Sequence, residues 1–136
     1  MNFIDKQLSI KLKEKGFDRP CLGVYNPIQD ELQLYCANNK DVTYKNILTS
    51  VYKNKVLVDA PTIEQVLEWL REEKDIDIVI YPIDRNTIYM GGEKYILSIY
   101  FCGKRDYKIH KDNNDKFVKW EDACIAGIEY VINNLI

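Results

Sequence analysis

Apolar residues recur along the chain with two periods, one of three to four and one of two, and the switches between them divide the chain into elements. Residues 5–15 hold Leu8 and Leu12 among Lys6, Lys11, Lys13, Glu14 and Lys15, and the pattern stops at Gly16. That spacing predicts a short helix closed by a glycine in the left-handed region. After Pro20 the pattern alternates: Leu22 and Val24 against Cys21, Gly23 and Tyr25, then Leu32, Leu34 and Cys36 against Gln33 and Tyr35. Two strands joined as a hairpin across 26–30 account for it. Residues 37–58 show no sustained period and read as an irregular insert within a single domain spanning 1–136.

Order returns at Ala60-Pro61-Thr62-Ile63-Glu64-Gln65, where Thr62 and Gln65 have the spacing of a capping box, each side chain able to satisfy a free backbone N–H. The helix opened there buries Ile63, Val66, Leu67 and Leu70 and exposes Glu64, Glu68, Glu72 and Glu73. It runs straight into a strand of alternating Ile76, Ile78 and Ile80 that ends at Pro82. Tyr95–Cys102 is a further strand, expected to pair with 87–90 across a tight Gly91-Gly92 turn. A last helix covers about 119–135, with Trp120, Cys124, Gly127, Ile128, Val131 and Leu135 on one face. Helix, hairpin, insert, helix, two or three strands, helix is not the strict alternation of a parallel sheet. The expected fold is α+β: a mainly antiparallel sheet of four to five strands with helices packed on one face.

Strand parity then sorts side chains onto two faces. One gathers Leu22, Val24, Leu32, Leu34, Ile76, Ile78, Ile80, Leu97, Ile99 and Phe101, which a layer of helices should cover. The other gathers Tyr25, Gln33, Tyr35, Tyr81 and Tyr100 with Val79, Ile96, Ser98 and Cys102. Tyrosine combines large contact area with a polar tip, so Tyr25, Gln33, Tyr35, Tyr81 and Tyr100 form the candidate binding face for a protein partner or a second copy. The competing reading is that 37–58 folds back over this face and makes it a second small core.

Composition narrows the classes of function. The chain of 136 residues is 46% hydrophobic and 29% charged, in the range of ordinary globular proteins. Its 19 Lys and Arg against 21 Asp and Glu leave no positive field to draw in phosphate backbones, which argues against nucleic acid as a partner. The segment 104–119 is locally basic, and a weak nucleic-acid reading rests on it, with Tyr107 and His110 as stacking groups. No apolar run reaches membrane-spanning length and no export signal is seen near Met1, so the expected setting is a reducing cytoplasm. Cys21, Cys36, Cys102 and Cys124 lack metal-ligand spacing and are expected as free thiols, with no metal and no cofactor. An enzyme would need His110, the sole histidine, beside one of these cysteines, or acidic groups gathered from distant segments. Asp112-Asn113-Asn114-Asp115 lacks the glycine and distal glutamate of a calcium loop, and no helix follows Gly91-Gly92 to make a phosphate cradle.

Three phrases occur in a recognisable order: Leu12-Lys13-Glu14-Lys15-Gly16-Phe17-Asp18-Arg19-Pro20-Cys21, then Ala60-Pro61 ahead of Gln65, Trp69, Leu70 and Arg71, then Trp120-Glu121-Asp122-Ala123. Over nearly its whole length the chain resembles a family of small proteins encoded by Bacteroides-type bacteria and their phages or prophages. The resemblance implies an accessory protein of a mobile element, acting in the bacterial cytoplasm. It carries no activity, ligand or site residue. One departure is Lys119, where similar sequences place Thr as the N-cap of the last helix; a lysine cannot accept that hydrogen bond. The sequence as a whole favours a non-catalytic module that binds another protein.

Overall fold

A helix as short as α1, Lys6–Glu14, depends on its ends, and both are closed. The Asp5 carboxylate accepts the Leu8 N–H at 2.9 Å, and Lys11 and Lys13 lie where the dipole is negative. At the other end Gly16 takes φ +94°, which lets Phe17 N–H reach Leu12 O and Gly16 N–H reach Lys13 O, each at 3.0 Å. That pair of bonds is the Schellman arrangement, as the position of the glycine predicts. The computed structural model describes residues 2–26, 31–34, 57–83, 94–103 and 116–136, which group into two compact units, Met1–Thr62 and Ile63–Ile136.

In the first unit, β1 (Gly23–Tyr25) lies between β2 (Leu32–Leu34) and β3 (Val58–Ala60), antiparallel to both. The hairpin of β1 and β2 is the expected one. Strand β3 is not: it begins at the last residue of the segment read as an insert, and three residues ending against Pro61 are too few to display a period. Residues 37–56 lie outside the described residues. Tyr25, Val58 and Ala60 form a small core against which Phe3 and Ile10 pack. Gly23 makes room for it, since a Cβ there would stand 3.0 Å from both Leu32 Cδ1 and Phe3 Cε1. Ile4 is tied in by its N–H, which donates to Pro61 O at 2.8 Å.

In the second unit α2 (Ile63–Lys74) starts directly after Thr62, the position that the capping-box spacing predicts for its N-cap. It buries Ile63, Val66, Trp69 and Leu70, and the Lys74 ammonium lies 5.3 Å from the centre of the Trp69 ring. A single residue separates it from β4 (Ile76–Pro82): Asp75, at φ 54°, a conformation that Asp tolerates better than most side chains. Strand β4 pairs with β5 (Tyr95–Phe101) over seven residue pairs, and β5 also pairs with the two-residue β6 (Lys116–Phe117). Pro82 sits on an edge strand, where a missing N–H is tolerated. The expected 87–90 strand and Gly91-Gly92 turn lie outside the described residues.

Helix α3 (Trp120–Asn134) buries Ala123, Cys124, Gly127, Ile128, Val131 and Ile132. Its N-cap is Lys119, in an extended conformation and with no side-chain cap bond, while Glu121 and Asp122 supply negative charge to the first turn. Gly127 is where α3 meets the sheet; a Cβ there would stand 2.8 Å from Ile78 Cγ2 and 2.9 Å from Leu97 Cδ1. The fold is therefore α+β, with antiparallel strands. In place of one sheet of four to five strands, the described residues form two of three. One is centred on β1, between β2 and β3, and the other on β5, between β4 and β6.

Candidate binding surface

The five residues of the expected tyrosine face fall in different places. Tyr25 is buried and its phenol donates to the Ile4 carbonyl oxygen. Burial first, then the Asp5 carboxylate, hold its pKa above the ordinary phenol value, so it stays a donor. Gln33 pairs with Val24, not with Tyr25, and so belongs to the opposite face of the first sheet. Tyr35 lies outside the described residues. Tyr81 and Tyr100 belong to the second sheet and do share a face, with Val79, Ile96, Ser98 and Asp77. Tyr81 is exposed and Tyr100 half-buried, four residue positions and roughly 13 Å apart along the ladder. The buried end of that face is polar: Asp77 accepts from Arg71 Nη2 at 3.0 Å and Arg71 Nε at 3.2 Å.

The expected parity holds in β4 and β5, where Ile76↔Phe101, Ile78↔Ile99 and Ile80↔Leu97 share one face. In β1 and β2 it slips by one residue. The register is set by the turn: Asn26 N–H donates to Glu31 O at 2.7 Å, which places Tyr25 opposite Leu32 and Gly23 opposite Leu34. Leu32 and Leu34 therefore lie on the Tyr25 side, away from Val24, and neither is core: they are 39% and 57% exposed. Leu22, also expected inside, is 44% exposed.

The same register decides where the backbone of β2 points. Asn26 and Glu31 form a hydrogen-bonded pair, so the alternation of an antiparallel ladder makes Val24 and Gln33 the next such pair. The N–H and C=O of Leu32 and Leu34 then face away from β1, along the outer edge of the sheet, and no strand among the described residues pairs with that edge. Exposed apolar side chains and outward backbone groups coincide on two residues. An edge of this composition is a template for another strand. Sequence reasoning missed it because apolar alternation is what a core strand also shows.

The enzyme reading rests in part on groups that are not among the described residues. His110 and Cys36 lie outside them, as does 104–115 of the basic segment; Lys116 is exposed in β6. Cys124 is buried, and burial, followed by Glu64 and Glu121, pushes its thiol up to about 12, which leaves it inert near neutral pH. Cys21 and Cys102 are half-buried, their thiols donating to Arg19 O at 3.3 Å and Arg71 O at 3.9 Å. No group of three metal-ligating side chains occurs among the described residues, and none of their helices is long and apolar enough to cross a membrane. Comparison of the chain with family models, with curated proteins and with solved structures gave no match.

Proposed function

We propose that this protein is a non-catalytic accessory module that binds another protein, and that it does so by adding an extended segment of its partner to β2. One observation carries the reading: Leu32 and Leu34 join exposed apolar side chains to outward-facing backbone groups on an edge strand. Main-chain hydrogen bonds would supply affinity, and the two leucines selectivity for apolar residues at alternate positions of the partner. The resemblance to mobile-element proteins of Bacteroides-type bacteria supplies the setting, a bacterial cytoplasm in which the partner belongs to the host or to the element.

Affinity capture from a host lysate, followed by mass spectrometry, tests the proposal when wild type is run beside Leu34→Lys. Leu34 is well exposed, so the substitution is expected to change stability by no more than about 0.5 kcal/mol. A protein recovered reproducibly by wild type and lost with Leu34→Lys is the expected result. Equal recovery by both, or no recovered protein, overturns it. Light scattering across a concentration series identifies the case in which the added strand comes from a second copy.

A further inference from the structure

Outside the first unit, one groove combines shape with unbalanced charge. It lies on the second unit, where α2 and α3 pack against one another, has a volume of about 370 Å³, and is lined by Glu64, Gln65, Leu67, Glu68, Arg71 and Trp120. Leu67 and Trp120 are half-buried and provide its apolar surface. Glu64 and Glu68 are exposed and one helical turn apart, a like-charge spacing that costs α2 stability by itself. No hydrogen bond or ion pair to either carboxylate is found among the described residues. The one cation of the lining is already engaged, since Arg71 is held by Asp77 at 3.0 Å. Glu64 and Glu121 both act on the Cys124 thiol, which sets a third carboxylate near this junction. Residues 63–136 carry 14 Asp and Glu against 10 Lys and Arg, so the surrounding field has the same sign.

We infer that this groove receives an arginine side chain from a basic segment of a partner protein, stacked on Trp120 and held by Glu64 and Glu68. Tryptophan is the best of the aromatic faces for a cation, and a guanidinium can stack on it while its planar fork meets carboxylates at its edge. Lysine offers a point charge and cannot do both as well. Nucleic acid is repelled by the same carboxylates. The inference is independent of the β2 edge, which lies in the other unit; either can fail while the other stands.

The probe is an oligo-arginine peptide, titrated into the full chain at low salt with tryptophan emission as the readout. Trp69 is almost fully buried, so the response reports on Trp120. Saturable binding is expected, weaker by about tenfold in Glu64→Gln/Glu68→Gln, and weaker again for an oligo-lysine peptide on the wild type. The double glutamine variant preserves side-chain size at two exposed positions and is expected to fold; Trp120→Ala, checked by circular dichroism, is the companion. Unchanged affinity in the double variant, equal binding of oligo-lysine, or the absence of saturable binding overturns the inference.

Discussion

Strands β1 and β4 both take part in three-stranded antiparallel sheets, yet they are specified differently. Strand β4 shares seven residue pairs with β5, and one face of that ladder is apolar and packed against Gly127 of α3. Strand β1 shares three pairs with each neighbour, and two leucines on its β2 side remain exposed. In the long ladder a slip of one residue would turn Ile78 and Leu97 away from α3 and bring Asp77 and Ser98 toward it, so burial holds the register. In the short sheet the Asn26–Glu31 hydrogen bond of the turn sets the register, whatever the alternation of the flanking residues suggests.

If that contrast is right, the second unit should be the more sensitive to crowding in its core. Gly127→Ala is expected to cost about 2 kcal/mol, because the added methyl meets a β-branched side chain and a buried leucine at under 3.0 Å. Urea unfolding measures it; a loss below the error of the method would mean that α3 can move off the sheet at no cost. In the first unit the sensitive point is a helix end. Gly16 has open space around it, but its φ of +94° is strained for any L side chain, so Gly16→Ala is expected to cost about 1 kcal/mol. Loss of amide protection at Phe17, without loss in β5, would locate the damage. The smallest effect expected is a gain: Lys119→Thr gives α3 the side-chain cap it lacks and should add about 0.5 kcal/mol in the same urea assay. No gain would mean that Glu121 and Asp122 already satisfy that end.

The same contrast explains how much of the molecule the sequence discloses. The three described helices and the faces of β4 and β5 follow from period, because each repeats over enough residues to be read, and the cap at Gly16 follows from a glycine placed where the helical period stops. Strand β3 and the two-residue β6 are too short for any period: β3 starts on the last residue of the insert 37–58, and β6 lies within the basic segment 104–119. Parity alone assigns Leu32 and Leu34 to the core and Tyr25 to the surface, because the pattern within each strand does not contain the register between them, which the Asn26–Glu31 pair of the turn fixes. The binding edge proposed above emerges only once that turn is known. Of the tyrosine face, what remains is Tyr81 and Tyr100 on one sheet.

Strand β3 also differs from the others in the length of chain it must span. Tyr25 meets Val58, whereas in the second unit Pro82 meets Tyr95. Loop-closure entropy grows with the logarithm of the intervening length, so the first contact costs about 0.8 kcal/mol more than the second. Three residue pairs offset that cost in one case and seven in the other. The ladder of β3 by itself therefore secures its place less well than the ladder of β4 and β5 does. Its position depends on the side chains that Phe3 and Ile10 lay against Val58 and Ala60, so that an entropic debt along the backbone is met by contacts from the opposite end of the unit.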